Sequence, residues 1–325
     1  MANGRKVIGW LLAVVLTACT NVPEVKIAVH ECASMPKGRA SACACTLDGK
    51  AYIFAGREAG NVYKADLWEY NPQTDQWTSL GNAPMKKRVN ATIAATNGKI
   101  YAGLGYAGLG AYRDSTYLQD WWEYTPATNE WRRLADYPSR NTVAACSVAL
   151  DGYIYAIYGF GWGWTRDIWR YSIADNKWEM LPDNAHRAEA VGGGRGAMLN
   201  GVYYFGTGYR TNNEKQWFAA DISADRWTRC ASIPGKGREV CACAAGKEYV
   251  YLFGGRHFAG DMTGGEIFDT YMRYSPSKDQ WEWCGTMPFG RAENLIAFSI
   301  DGKVYFGLGE NEKAEPNAKL YCIEE

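Results

Sequence analysis

Six times in this sequence an arginine stands just ahead of a short apolar run: Arg39, Arg88, Arg140, Arg187 or Arg195, Arg238 and Arg291. A guanidinium presents a planar fork of donors that grips a carboxylate or phosphate through two bonds, so a ring of such forks would take an anion. Carboxylates stand close by: Glu239 follows Arg238, and Glu189 and Glu293 close two Arg-Ala-Glu triplets. Glu239 and Glu293 are the candidates for acid–base work, which asks for a proton donor and acceptor beside a bound substrate. The same charges also read as structural, with the arginines pairing to glutamates or capping carbonyls of a neighbouring element. Aromatic side chains gather between the arginines, at Tyr106, Tyr112 and Tyr117, then Phe160, Trp162 and Trp164, then Tyr209, then His257 and Phe258. Ring faces beside charged forks suit a polar ligand with one apolar face, such as a sugar acid. Trp162, Trp164, Tyr209 and His257 therefore join the arginines as candidate ligand-binding residues.

Metal and cofactor chemistry finds less support. Only His30, His186 and His257 are present, far apart, and no motif of a strained nucleophile turn occurs. The expectation is no metal and no cofactor. Apart from Cys19 there are nine cysteines, and they fall at repeated positions. Cys32, Cys230 and Cys284 fill a slot held elsewhere by Leu80, Leu134 and Leu181. Cys43 with Cys45, and Cys241 with Cys243, alternate along one strand face where other copies use Ala or Thr. They read as small core residues.

The elements that would position these groups are repeats. Trp77, Trp131, Trp178, Trp227 and Trp281 recur at intervals of 54, 47, 49 and 54 residues. A tyrosine precedes four of them by seven residues, at Tyr70, Tyr124, Tyr171 and Tyr274, while the fourth copy has Ala220. A turn segment lies between, as in Asn71-Pro72-Gln73-Thr74-Asp75. Each copy also carries a hairpin dipeptide, at Asp48-Gly49, Asn97-Gly98, Asp151-Gly152, Asn200-Gly201 and Asp301-Gly302, with a degenerate Gly246-Lys247 in the fifth. A Tyr-rich strand and then glycine follow. The unit is strand a, tight turn, strand b, variable loop, strand c, turn, strand d: a four-stranded antiparallel blade. The last copy lacks strand d, and Val29 to Pro36 parallels Trp281 to Pro288, so the first strand is expected to complete the last blade. The fold class is all-β, a six-bladed propeller over residues 20–325. Strand a lines the channel, and the arginines and aromatic loops share one face of it.

The glycine pair after strand b, cleanest at Gly254-Gly255, with the spaced Tyr and Trp, resembles the kelch repeat across essentially the whole chain. The architecture is similar to that of N-acetylneuraminate epimerases, which interconvert sialic acid anomers, and of the central propeller of galactose oxidase. Resemblance to the first implies an acid–base pair and an arginine for the substrate carboxylate, supplied by Glu293 with Arg291 or Glu239 with Arg238. Resemblance to the second implies a copper site of two His, two Tyr and a Cys–Tyr crosslink, which three scattered His do not match.

The first residues stand apart. Arg5 and Lys6 precede an apolar run from Val7 to Val15, and Leu16-Thr17-Ala18-Cys19 follows. The tetrad resembles a bacterial lipobox, so residues 1–19 read as a lipoprotein signal peptide with Cys19 as the lipidated residue. The chain is expected to be exported and lipid-anchored, facing the periplasm, on a leash of nine or ten residues. Lys plus Arg and Asp plus Glu both number 35, so there is no basic excess for nucleic acid. The expected protein is a monomer that meets the membrane only through its anchor. It binds an anionic sugar or glycan, or an acidic protein segment, on its Arg/aromatic face; the alternative is a sialic acid epimerase or mutarotase.

Overall fold

The computed structural model describes residues 22–108, 116–140, 142–161, 163–211, 214–258 and 265–325. Cys19, Tyr112 and Trp162 lie outside them. Six four-stranded antiparallel sheets follow one another. Blade 1 has strands a to d at Cys43–Leu47, Lys50–Phe54, Asp66–Asn71 and Gln76–Asn82. Blade 2 has Thr92–Thr96, Lys99–Gly103, Trp121–Thr125 and Glu130–Arg133. Blade 3 has Cys146–Leu150, Tyr153–Ile157, Ile168–Ser172 and Lys177–Met180. Blade 4 has Arg195–Leu199, Val202–Gly206, Trp217–Asp221 and Arg226–Arg229. Blade 5 has Ala242–Ala245, Val250–Phe253, Thr270–Ser275 and Gln280–Thr286. Blade 6 takes Ile296–Ile300, Lys303–Gly307 and Leu320–Ile323 from the C-terminus, and its strand d is Val29–Cys32, paired from Val29 with Ile323 to Cys32 with Leu320. The expected closure is the observed one.

The hairpin dipeptides have both residues at positive φ, for example Asp48 at 49° and Gly49 at 73°, as a type I′ turn demands. The degenerate fifth copy is repaired from outside. The Glu325 carboxylate accepts the amides of Lys247 and Glu248 at 2.6 and 2.8 Å, so the C-terminal residue caps the turn that lacks its Asp.

The spaced Tyr, Asp/Asn and Trp form a clamp between blades. Tyr274 donates to Asp279 Oδ1 at 2.6 Å, and the same oxygen accepts the Ala231 amide of blade 4 at 2.7 Å. Trp281 Nε1 returns a bond to the Ala231 carbonyl at 2.9 Å. Asp75 and Trp77 grip Ala33 in the same way, and Asn176 and Trp178 grip Ala135. The Asp or Asn sits in the left-handed region, at φ 51° for Asp75 and 48° for Asp279, which these side chains tolerate. Trp178, Trp227 and Trp281 are buried, while Trp77 and Trp131 are half-buried at the rim.

At the channel the blades are joined by backbone. Asn294 N bonds to Val240 O, Ser41 N to Asn294 O, Asn90 N to Ser41 O, Ala144 N to Asn90 O and Val240 N to Gly193 O, at 2.9 to 3.1 Å. A second belt uses the glycine after strand b: Gly56 N bonds to Arg88 O, Gly105 N to Thr142 O, Gly208 N to Arg238 O, Gly255 N to Ala292 O and Gly309 N to Arg39 O. Both belts have five links. Among the described residues neither crosses from blade 3 to blade 4. The glycine is required: at Gly255, φ is 89° and a Cβ would lie 2.7 Å from Glu239 O.

The chain enters earlier than expected. Val25 N bonds to Trp283 O and Trp283 N to Pro23 O, both at 2.8 Å, so residues 23–25 already lie along strand d of blade 5. The segment free of the propeller is therefore shorter than nine or ten residues. The structure holds no helix long and apolar enough to cross a membrane among the described residues.

Replacing Asp279 with Ala removes the acceptor for both Tyr274 and Ala231 and puts a poor residue at positive φ, so urea unfolding should show a loss of about 2–4 kcal/mol. Asp279→Asn, the residue blades 2 and 3 use at Asn129 and Asn176, should lose less than about 1 kcal/mol. Equal losses in the two variants would show that the clamp does not act through this acceptor.

Candidate functional site at the channel mouth

In every blade the connection from strand d to strand a bridges the residue just after the strand-b glycine through two backbone bonds. The pairs are Ala40 with Arg57, Val89 with Tyr106, Val143 with Phe160, Gly192 with Tyr209, Glu239 with Arg256 and Glu293 with Glu310. Six equivalent bridges thus ring one end of the channel. Their side chains divide it. Blades 5, 6 and 1 present Glu239, Arg256, Glu293, Glu310 and Arg57; blades 2, 3 and 4 present Tyr106, Phe160 and Tyr209.

The charged half is a network. Arg256 lies 3.3 Å from both Glu239 Oε1 and Glu293 Oε2, Arg57 pairs with Glu310, and Asn294 Nδ2 donates to Glu310 Oε1 at 2.8 Å. Burial pushes the Glu239 carboxyl above its ordinary value; Arg256 opposes that rise and the charge of Glu293 adds to it. Burial likewise raises Glu293, against the pull of Arg256 and Arg57. Burial thus favours the protonated form of both carboxyls, and the guanidinium they share opposes it. Arg195 adds a cation. It starts strand a of blade 4, lines the channel, and makes one bond, Nη1 to Gly194 O at 2.9 Å, with no carboxylate partner among the described residues. The cavity it faces is about 160 Å³, walled by small residues such as Ala42, Ala91, Ala145, Gly196, Ala242 and Ala297.

The aromatic half continues outward. Trp164 meets Tyr209 edge-on at 6.1 Å, Tyr209 meets Phe258 at 4.9 Å, and the Arg256 guanidinium lies 5.3 Å from the Phe258 ring. Trp164 is 42% exposed. His257 is half-buried, with Nδ1 2.9 Å from Gly237 O.

The six-fold arginine ring is not what the structure forms. Arg39, Arg88 and Arg238 are true equivalents, but each is 1% exposed or less and lies under its own b–c loop. Arg88 donates to both Asp120 oxygens at 2.9 and 2.8 Å and to Leu104 O at 2.9 Å; Arg39 grips Asp66 at 2.7 and 3.0 Å and donates to Ala55 O at 2.8 Å. Of the two readings of these arginines, the ion-pairing one describes Arg39 and Arg88. Arg187 belongs to the outer clamp, where it grips Asp225 at 2.9 and 2.7 Å and so substitutes for the missing tyrosine at Ala220. Arg140 and Arg291 are exposed, two residues and one residue short of the ring position, which Thr142 and Ala292 hold. Glu239 and Glu293 come together, though through Arg256 and not through Arg238 and Arg291. Glu189 lies apart, 3.2 Å from Arg210. Arg57, Arg256 and Glu310 escaped the sequence reading. The signal was the glycine of the kelch pair: the residue after Gly56, Gly255 or Gly309 is the mouth position.

The nine cysteines are free thiols. Burial holds the Cys45 and Cys243 thiols well above the ordinary range, so they stay protonated. Among the described residues no group of three His, Cys, Asp or Glu is placed to hold a metal.

Such blades and mouth define a kelch-type propeller. A family model described as the KLHDC2/KLHL20/DRC7 Kelch-repeats domain matches residues 17–206, and the chain belongs to the kelch-repeat family. It is similar to Kelch-like protein 25 of Xenopus tropicalis, 26% identical over 267 residues covering 79% of this chain and 42% of that protein. It is also similar to N-acetylneuraminate epimerase of Pasteurella multocida (strain Pm70), 28% identical over 163 residues covering 40% of this chain and 43% of that protein. The chain thus spans about two fifths of the length of these curated relatives. The solved structure of YjhT superimposes with a TM-score of 0.75 at 13% identity, covering 90% of this chain and 97% of that one, which shows the shared fold.

Burial raises the Asp120 carboxyl, but the hydrogen bonds and charge of Arg88 outweigh it and hold the group below its ordinary 3.8. The stabilisation from this pair is therefore complete above that value and is lost as pH falls through the lower folded one. Asp120→Asn leaves Arg88 buried and unpaired, and should cost about 3–5 kcal/mol at neutral pH. Urea midpoints measured across the acid range should fall less steeply for the variant than for wild type; parallel acid limbs would refute the assignment.

Proposed function

We propose that the channel mouth binds a small anionic sugar. One observation supports this above others: the ring of equivalent positions is split into a carboxylate–guanidinium half and an aromatic half. Such a split matches a ligand with hydroxyls on one side and an apolar ring face on the other. Glu239, Glu293 and Glu310 are acceptors for hydroxyls, Tyr209 and Phe160 offer ring faces, and Arg195, with no carboxylate in ion-pair contact among the described residues, is a cation that can meet the ligand's acid group. An acidic protein segment is the other occupant that this chemistry suits.

The Glu239–Glu293 pair favours a second reading, in which the bound sugar acid is also interconverted between anomers. One carboxyl gives its proton to the ring oxygen as the other takes the proton of the anomeric hydroxyl. The ring C–O bond breaks, a carbonyl forms, and closure on the opposite face reverses both transfers. A relative that bears the name N-acetylneuraminate epimerase is in keeping with this.

The proposal includes a lipid anchor at Cys19. Three residues, Thr20 to Val22, separate it from Pro23 on blade 5, a reach of about 14 Å at most, which would hold that edge of the propeller against the bilayer. Cys19→Ser should move the protein from the membrane fraction to the soluble one; an unchanged distribution would exclude the anchor.

Saturation-transfer NMR against a panel of sugar acids, neutral sugars and acidic peptides tests the binding reading. The sugar acids should bind, and Arg195→Ala should weaken them about tenfold or more while sparing any neutral sugar. Binding of acidic peptides alone would replace the ligand class. Anomer exchange of N-acetylneuraminate tests the second reading: Glu239→Gln and Glu293→Gln should each slow it about 100-fold or more, and no acceleration by wild type would leave binding only.

A further inference from the structure

Arg39, Arg88 and Arg238 each donate Nη1 to the strand-b carbonyl sixteen residues on, at Ala55, Leu104 and Gly254, over 2.8 to 3.0 Å. The amides of those same residues identify the facing position in strand c. Ala55 N bonds to Asp66 O, Leu104 N to Asp120 O and Gly254 N to Thr270 O. Thr270 therefore stands where blades 1 and 2 carry the aspartate that neutralises the arginine. The tryptophan that completes the set, Trp68 or Trp122 donating to that aspartate at 2.8 or 2.9 Å, is Met272 in blade 5.

Among the described residues Arg238 is thus a buried guanidinium without the paired aspartate of blades 1 and 2. It is 1% exposed, its Nε has no hydrogen-bond partner, and among the described residues it meets no carboxylate within ion-pair distance. Burial pushes its pKa down to about 10, so it remains charged at neutral pH. The Phe268 ring, 4.3 Å from the guanidinium carbon, supplies part of the missing negative potential. Glu266 favours the charged guanidinium only from beyond ion-pair distance and is itself held by Lys236 at 2.5 Å. A buried cation with no carboxylate in contact is costly unless an anion joins it.

We propose that Arg238 is a built site for a small monovalent anion, chloride or a carboxylate, bound as the Asp66 and Asp120 carboxylates are bound in blades 1 and 2. The site is separate from the mouth and does not depend on the ligand there.

Thermal unfolding of the full chain at constant ionic strength tests it, with chloride or formate replacing a bulky sulfonate in separate series. The wild-type Tm should rise by about 2–4 °C in at least one series, and which one names the anion. Thr270→Asp, which restores the aspartate of blades 1 and 2, should raise Tm in the sulfonate alone and abolish the response. Arg238→Met should abolish the response without that rise. Chloride-35 NMR of the wild type gives a reading independent of folding, with excess line broadening that formate competes away if formate shares the site. A Tm indifferent to both anions, or a response retained in Thr270→Asp or Arg238→Met, overturns the proposal.

Discussion

Blade-to-blade hydrogen bonding through backbone held at positive φ is the constraint on which the rest depends. Each connection into strand a must place one residue in the left-handed region so that its amide turns toward the preceding blade. Ser41, Asn90, Ala144, Gly193, Val240 and Asn294 all do so, at φ between 46° and 67°. For the non-glycine members this costs on the order of 1–2 kcal/mol each, which the inter-blade bonds and the packing behind them must offset. The residue after strand b faces the same demand. Ala55, Leu104, Tyr158, Thr207, Gly254 and Leu308 stand at φ 54° to 63°, though only one of them is glycine. The partial glycine pairs of the sequence are therefore strained copies of one backbone and not different turns.

That constraint explains the arginines. A loop that passes over strand b and leaves carbonyls at Ala55 or Leu104 pointing inward needs a donor beneath it. A guanidinium can bond the carbonyl and a strand-c aspartate together. Removing either partner leaves a buried charge, so the position cannot be traded for ligand chemistry without loss of stability. The next residue has no such duty. Its backbone makes the mouth bridge whatever its side chain, and Ala40, Val89, Val143, Gly192, Glu239 and Glu293 all serve. Side-chain identity is free at the bridge; one residue earlier it is arginine in blades 1, 2 and 5 and Thr142, Val191 or Ala292 in the others.

The fold was legible because its signals are periodic and local. Trp77 to Trp281, the Asp-Gly and Asn-Gly turns, and the split last blade each report a short-range geometry that does not depend on loop length. The site was half legible. Glu239 and Glu293 stood out as carboxylates close to the recurring arginines, but their partner Arg256 sits across the blade, seventeen residues from Glu239, behind a glycine that served only as a turn marker. The arginines misled because recurrence was read as exposure. Offsets of two, four and one residues from the ring position also made Arg140, Arg187 and Arg291 look equivalent to Arg39 when they are not. Alignment on the strand-b glycine, whose φ and close contacts admit no other residue, gives the correct register.

The two missing belt links account for the position of the aromatic half. Between blades 3 and 4, side chains do what backbone does elsewhere. Tyr158 donates to Ala188 O at 2.6 Å and packs edge-on to Phe205 at 4.7 Å, Cys146 Sγ lies 3.2 Å from Gly194 O, and Arg187 grips Asp225. Above that seam Trp164 of blade 3 meets Tyr209 of blade 4, and Tyr209 meets Phe258 of blade 5. Rings in these loops are therefore part of the cohesion of the propeller as well as a surface for a ligand. The charged half lies across the ring, where both belts are continuous through blades 5, 6 and 1. Carboxylates and guanidiniums that must keep fixed spacing occupy blades joined by both belts, and the Trp164–Tyr209 contact spans the one seam that, among the described residues, neither belt crosses. A six-fold scaffold thereby acquires a single polar-to-apolar axis across its mouth without departing from its repeat.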